Sequence, residues 1–330
     1  MTSPRKKIPT ILYSKELLDK AFKKASKIQK EGLDRVDKVR KTAISKISVA
    51  GDIISSNLAK YVKAFPSFSK TNEFEMELVD VIIGIDRLKK SLGALNWCSM
   101  KALELEKTYL GKVRKAQNSE EISRLRKEFY GRLSSLVNQI DQDLKFVATA
   151  REKLKELPEI DPALPTAVIA GFPNVGKSQL VERISSARPK IAPYPFTTQG
   201  IGIGHFTARR KKYQVVDTPG LLDRKLEERN RIELQAILAL RHLADIIIFL
   251  IDPSETSGYS IKDQLALLES IKMNFANIPI IEVENKSDII KTESPRMKIS
   301  ALTGEGIEEF LALVIDMLDR TSEARDSMGR

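Results

Sequence analysis

The 330-residue chain has a single cysteine, Cys98, and its two histidines do not sit with it in zinc-ligand spacing. A disulfide scaffold and a zinc module are thereby excluded, and a reducing compartment is expected. Long apolar runs are missing as well. The basic N-terminal stretch MTSPRKKIPTILYSKELLDK lacks the apolar core of a signal peptide, and no later stretch approaches the length of a membrane span. A soluble cytoplasmic protein without membrane contact is expected. With 16 Gly and 14 Pro the chain is neither collagen-like nor low-complexity, and it has no internal repeat. What it does have, 42% hydrophobic and 30% charged residues, suffices for two domains with separate cores.

Charge and proline are unevenly spread. Residues 1–160 sum to +12 and the remaining 170 to −1, together the +11 of the chain. Proline is absent between Pro66 and Pro158, after which Pro158, Pro162 and Pro165 follow closely. These signals predict a basic N-terminal helical bundle over 1–160, a linker near 158–165 and a second domain over 161–330. In the bundle, Ile82, Ile83, Ile85, Leu88 and Leu92 form one helical face, and Ile122, Leu125, Phe129, Leu133, Leu136 and Ile140 another. Ser119 is expected to cap one helix and Asn72 to start another. Beyond the linker, short apolar strands alternate with helices: Thr166–Ala170, Ile201–Phe206, Tyr213–Asp217, Asp245–Asp252, Ile278–Glu284 and Arg296–Ser300. The fold class that follows is an α/β domain, a mostly parallel sheet flanked by helices, preceded by an all-α bundle.

Directly after the first predicted strand, Gly171-Phe172-Pro173-Asn174-Val175-Gly176-Lys177-Ser178 fits G-x-x-x-x-G-K-[ST]. Such a loop turns backbone N–H groups toward phosphate oxygens and adds the positive end of a helix dipole. Lys177 then reaches the β and γ phosphates, and Ser178 ligates magnesium. Asn174, Val175, Gly176, Lys177, Ser178 and Gln179 are the expected phosphate-side residues. Asp217-Thr218-Pro219-Gly220 closes the third predicted strand, where Asp217 can hold magnesium through water and the Gly220 N–H can meet a γ-phosphate. Between them lies the turn-rich Tyr194-Pro195-Phe196-Thr197-Thr198. Thr198, rather than Thr197, is expected to complete the magnesium shell, against the alternative that both are solvated loop residues. Lys177, Thr198 and Gly220 are the residues expected to act on the γ-phosphate.

The base is chosen later in the chain. A strand runs into Asn285-Lys286-Ser287-Asp288, an N-K-x-D pattern. The Asp288 carboxylate can accept both the N1–H and the 2-amino hydrogens of guanine, an arrangement that adenine does not offer. Asn285 would brace the loop and approach the other edge of the base, the Lys286 stem would cover the ring, and Ser300-Ala301-Leu302 would supply a backbone N–H for the guanine oxygen. The order and spacing of all five elements point to GTP, although each alone is also compatible with an ordinary turn.

The set GFPNVGKS, YPFTT, DTPG, NKSD and SAL resembles the Obg-related branch of translation-factor-type GTPases. The stretches APYPFTTQGIGIGHF and VVDTPGLLDRKLEERNRIELQAILALRHL are similar to the Nog subfamily of nucleolar GTP-binding proteins, a likeness covering about residues 160–290. The basic helical region before it is similar in position and length to that family's N-terminal bundle. The resemblance implies a switch in large ribosomal subunit assembly, with ribosomal RNA and assembly intermediates as partners, and monomeric behaviour off the ribosome. In a eukaryote the location would be nucleolar. The chain stops soon after the G domain, which suggests the short archaeal-like form, and Ile289–Ile299 leaves little room for a helix between NKSD and SAL. An Obg/DRG-like translation-associated GTPase and a GTPase subunit of an RNA-modification complex remain as alternatives.

Leu221 follows DTPG where Ras-like enzymes carry the glutamine that orients water, so hydrolysis should be slow without an activating partner or cation. Gln199 is a weak substitute, and His205 and His242 read as structural. Arg224, Arg229 and Arg231 flank the second switch as an internal arginine finger or as plain ion pairs. By resemblance to GTPases with similar loops, the Asn174 carbonyl oxygen would coordinate potassium where such a finger would sit; the alternative is that Asn174 bonds the loop backbone.

Overall fold

A computed structural model describes residues 8–66, 73–156, 160–161, 163–194, 200–224 and 229–327. Its contacts divide the chain into two units, residues 1–69 with 83–155 and residues 70–82 with 156–330.

The first unit is a helical bundle: α1 (Ser14–Ser26), α2 (Arg35–Ala64), α4 (Ile85–Lys115), α5 (Ser119–Gln139) and α6 (Asp141–Glu156). The long helices α2 and α4 pack along one another and α5 closes over both. Ile47, Ile54, Leu58, Leu88, Leu95, Phe129, Leu133 and Leu144 are fully buried, those that share a helix spaced four or seven apart, one or two turns. The start of α5 falls one residue earlier than expected. Asn118, not Ser119, is the N-cap: its side chain accepts the Glu121 N–H at 2.8 Å, and the Glu121 carboxylate returns to the Gln117 N–H. Ile82 and Ile83 do not share a helix with Leu88 and Leu92, because Gly84, at φ +82°, separates α3 (Glu73–Ile83) from α4. On α5, Val137 rather than Leu136 is the buried residue of the last turn. Asn72 lies outside the described residues.

Residues 70–82 carry Lys70 against Glu73, Glu75, Glu77 and Asp80, and residues 156–160 carry Glu156 and Glu159. Assigning both stretches to the second unit raises the first from +12 to +17 and lowers the second from −1 to −6. In the second unit the Glu77 carboxylate meets Arg241 at 3.2 Å and His242 at 3.1 Å, and Glu73 meets the other nitrogen of His242.

The second unit is built on seven strands: β1 (Thr166–Ala170), β2 (Lys190–Ala192), β3 (Ile201–Ala208), β4 (Lys211–Asp217), β5 (Ile246–Ile251), β6 (Ile280–Glu284) and β7 (Met297–Lys298). They lie in the order β2-β3-β4-β1-β5-β6-β7, antiparallel among β2, β3 and β4 and parallel from β4 onward. The helices are α7 (Lys177–Ile184), α8 (Arg231–Ala239), α9 (Ile261–Asn274) and α10 (Ile307–Ser327). Strands TAVIA and IIIFLI are buried at every position, as continuous apolar runs in a doubly covered parallel sheet are. The chain leaves β1 at the centre of the sheet and later crosses to its other side, so the loop after β1 opens at the switch point where α/β sheets hold ligands. Strand β2, three residues at the edge with Lys190 and Ile191 exposed, escaped the periodicity. With it counted, Asp217 ends the fourth strand in chain order rather than the third. No helix forms over residues 289–296, and β7 is confined to two residues.

Within the bundle, Glu106 is buried against Gly51, whose missing Cβ would lie 2.4 Å from Glu106 Oε2. Ser48 donates to Oε1, while Oε2 has no partner among the described residues. Burial raises the Glu106 pKa, the Ser48 bond opposing it. With a folded pKa above the unfolded one, stability is fully present below the unfolded value and is lost as pH rises through the folded value. Glu106→Gln should therefore raise the denaturation midpoint of the full chain at pH 8 and leave it nearly unchanged at pH 4.

Candidate functional site

Between β1 and α7 the chain turns through three left-handed residues: Gly171 at φ +136°, Asn174 at +61° and Gly176 at +102°. A Cβ on Gly171 would lie 2.6 Å from the Leu250 carbonyl oxygen, and one on Gly176 2.2 Å from Asn285 Nδ2, so side chains are excluded by contact as well as by φ. Gly176 caps α7, which points the helix's free N–H groups and positive end into the loop. Lys177 is buried, and its Nζ donates to the carbonyl oxygens of Gly171 (2.8 Å) and Phe172 (2.7 Å). Burial lowers its pKa, against the negative charges of Asp217 and Asp223. Asn174, Gly176, Lys177, Ser178, Gln179 and Gly220 line one open cleft of about 580 Å³, joined by Asp223. Val175 is buried beneath it, its carbonyl bonded by Asn285. The Asn174 side chain is exposed and makes no hydrogen bond among the described residues.

The Ser178 hydroxyl donates to Asp217 Oδ2, and Asp217 Oδ1 is buried with no partner among the described residues. Burial raises the Asp217 pKa, while the Ser178 bond and the Lys177 charge oppose it. A buried carboxylate oxygen without a donor, beside a hydroxyl, is an oxygen-only set that fits magnesium. Among the described residues no cluster of three His, Cys, Asp or Glu side chains is placed to hold a metal. A cation here would thus rest on one carboxylate and on ligand oxygens, the usual habit of magnesium at phosphates. Thr198, with Thr197 and Gln199, lies outside the described residues.

Gly220, at φ +77°, donates its N–H to Asp223 Oδ2 at 2.8 Å. Arg229 Nη2 in turn donates to Asp223 Oδ1 (3.0 Å) and to the Leu221 carbonyl (2.8 Å), with its side chain 1% exposed. Arg224 reaches Glu233 at 3.9 Å, half exposed. Of the two readings of these arginines, the ion pair is the one Arg224 and Arg229 adopt; the Arg231 side chain lies outside the description. Leu221 is buried, His205 pairs with Gln214 across β3 and β4, and His242 is held by Glu73 and Glu77.

On the base side, Asn285 is 2% exposed: its Nδ2 donates to Val175 O at 2.8 Å and its Oδ1 accepts the Ala301 N–H at 2.9 Å. Both ends of this amide serve the protein, so its bracing role is the one visible. Lys286, at φ +64°, donates to Asp252 Oδ2 (2.7 Å) and Thr256 Oγ1 (2.8 Å). Burial alone would raise the Asp252 carboxyl, but hydrogen bonds from Lys286, Ser254 and the Ser257 N–H bring it down to about 2. Asp288 is exposed, with the Ser300 hydroxyl fixing one of its oxygens. The Ser300 N–H goes to Glu305 O and the Ala301 N–H to Asn285, which leaves Leu302 as the residue of the triplet whose N–H is not engaged among the described residues.

Three participants gave no local signal in the sequence. Arg183 on α7 donates to the carbonyl oxygens of Ala301 and Leu302, clamping the SAL loop to the phosphate-side helix. Tyr259 stacks on Phe172 of the phosphate loop at 4.2 Å. Asp223 lies inside the cleft, and only the turn geometry after Gly220 brings it there.

Two families match the chain: the NOG1 N-terminal helical domain over residues 6–161, and Nucleolar GTP-binding protein 1 (NOG1) over residues 231–288. An uncharacterised protein of Methanocaldococcus jannaschii is 46% identical over 296 residues, covering 88% of this chain and 83% of that protein. Nucleolar GTP-binding protein 1 is 31% identical in Saccharomyces cerevisiae and 33% in Drosophila melanogaster, each over 292 residues. The chain spans 45% of the length of either protein. Among solved structures, nucleolar GTP-binding protein 1 of Plasmodium falciparum is 34% identical at a TM-score of 0.45, covering 52% of this chain and 95% of that one. The G domain of the T. maritima FeoB iron transporter is 25% identical at a TM-score of 0.39, covering 46% and 97%.

Proposed function

The chain belongs to the nucleolar GTP-binding protein 1 family, and from that membership we propose that it binds GTP, hydrolyses it to GDP and phosphate, and acts as a switch in assembly of the large ribosomal subunit. The observation that carries this reading is the convergence of a phosphate-loop lysine, a carboxylate beside a hydroxyl, and an N-K-x-D loop braced to the same phosphate loop. Lys177 would exchange its carbonyl partners for the β and γ phosphate oxygens, and the backbone N–H groups before α7 would hold the remaining phosphate charge. A magnesium ion held by Ser178 and Asp217, with Thr198, would supply further neutralisation of the phosphates. Gly220 would meet the γ-phosphate. Asp288 would read guanine with the oxygen that Ser300 leaves free, beside the Lys286 stem and the Leu302 N–H.

The buried Leu221 cannot orient water, and Arg229 is tied into an ion pair, so intrinsic hydrolysis is slow until charge arrives from outside this set. The exposed Asn174, without a side-chain partner among the described residues, favours the potassium reading over loop bonding. The +17 bundle supplies the ribosomal RNA contact, and the protein works as a monomer off the ribosome, in the cytoplasm or, in a eukaryote, in the nucleolus. No helix among the described residues is long and apolar enough to cross a membrane.

Three measurements test this. Asp288→Asn should weaken GTP by roughly tenfold or more, the size of a lost charge-assisted hydrogen bond, and xanthosine triphosphate far less. Equal losses would count against guanine reading by Asp288. GTP hydrolysis should run faster in potassium than in sodium at matched ionic strength, and Asn174→Ser should erase the difference; a native rate indifferent to the cation would return Asn174 to a loop role. Finally, the full chain should co-sediment with large-subunit particles more strongly with a non-hydrolysable GTP analogue than with GDP, and release steeply as salt rises. Binding that ignores the nucleotide would reduce the G domain to a passenger.

A further inference from the structure

Among the described residues, Asp223 is the one carboxylate that lines the cleft on the side where Gly220 is expected to meet a terminal phosphate. It already occupies that N–H, with Oδ2 at 2.8 Å from the Gly220 nitrogen. It is not a loosely solvated side chain. Its second oxygen is held at 3.0 Å by Arg229, whose guanidinium is buried and whose same nitrogen is anchored on the Leu221 carbonyl. The carboxylate therefore sits with both oxygens engaged, one by the switch backbone and one by a cation.

Carboxylate and phosphate oxygens are the same kind of acceptor for a backbone N–H, and both carry negative charge. A nucleoside diphosphate ends at the β-phosphate and has no group for Gly220. A triphosphate brings a γ-phosphate whose oxygens need this N–H and whose charge is repelled by Asp223 across the same cleft. The geometry points to Asp223 as a specificity-determining residue that stands in for the γ-phosphate at Gly220 and biases the cleft toward the diphosphate. Triphosphate binding must turn this carboxylate away from Gly220, which ties the place of the Asp223 side chain, and its bond to Arg229, to the presence of the third phosphate. The inference rests on the guanine-nucleotide reading above.

The competing account makes Asp223 a turn-former that shapes Gly220 for either nucleotide. Two variants of the full chain separate the accounts. Asp223→Asn removes the charge while keeping one acceptor oxygen, enough for Gly220 or for Arg229 but not for both at their present positions; Asp223→Ala removes both acceptors. Affinities for GDP and for a β,γ-imido GTP analogue would be measured with magnesium present, by calorimetry or with fluorescent nucleotides. Expected is a triphosphate that tightens roughly tenfold in both variants, the size of like-charge repulsion at a partly solvated cleft, with GDP within about twofold of the native value. A triphosphate affinity that is unchanged or weaker, or a parallel loss for both nucleotides, overturns the inference. If the native chain binds neither nucleotide, the failure belongs instead to the guanine-nucleotide reading.

Discussion

The side-chain amide of Asn285 joins the end of β6 to two other loops, one 110 residues earlier in the chain at Val175 and one 16 residues later at Ala301. It is buried, so each of its bonds replaces a solvation that the folded chain no longer provides, and losing either would strand a polar group away from water. Gly176 must be glycine because the amide passes where its Cβ would be, at 2.2 Å. The phosphate loop and the base-reading loop thus have no independent positions. Arg183 repeats the tie from the other side, running from α7 to the SAL carbonyls, so the base side of the site is pinned from both of its neighbours.

The phosphate side is organised by charge rather than by amide cross-links. Lys177 is buried with Asp217 and Asp223 as the negative charges acting on it, and burial depresses its pKa while raising that of Asp217. Such an arrangement is uncomfortable for each group alone, and a polyanion with its cation relieves both at once: the lysine gains phosphate oxygens, and the unpartnered Asp217 oxygen gains a positive neighbour. Strain of this kind at a ligand site is what separates it from a structural ion pair such as Lys272 with Glu282, where each partner satisfies the other and the pKa values move outward.

The features that could be read from the sequence are those with a short-range physical code. Helical periodicity announces the bundle, continuous β-branched runs announce the central strands, and Gly171, Gly176 and Lys177 announce a loop that bends around phosphate. Features decided by distant contacts could not be read. Strand β2 has three residues and exists because β3 offers an edge; the cap of α5 is a different case, local but with two adjacent cap-forming residues, of which Asn118 takes the extended conformation and accepts the Glu121 N–H. The acidic segment 70–82 looked like part of the basic region because it lies within it in sequence. Its carboxylates instead meet Arg241 and His242, more than 160 residues later, and that regrouping sharpens the charge contrast from +12 against −1 to +17 against −6.

That contrast bears on how a GTPase without the switch glutamine can be useful. The bundle's excess of positive charge favours a polyanion by releasing its counterions, a drive that does not depend on sequence or on nucleotide. The acidic unit has no such drive, so any nucleotide control over binding must pass through geometry, and the Gly220 N–H is the part of the described site held by a side-chain carboxylate rather than by a buried amide. With the base side pinned, and with no water-orienting group at Leu221 and Arg229 occupied, the proposed function would have GTP held rather than quickly hydrolysed. Under the proposed function timing would be set by an assembly partner, because the charge missing from the transition state would have to come from outside the pairs that already bind Arg224 and Arg229.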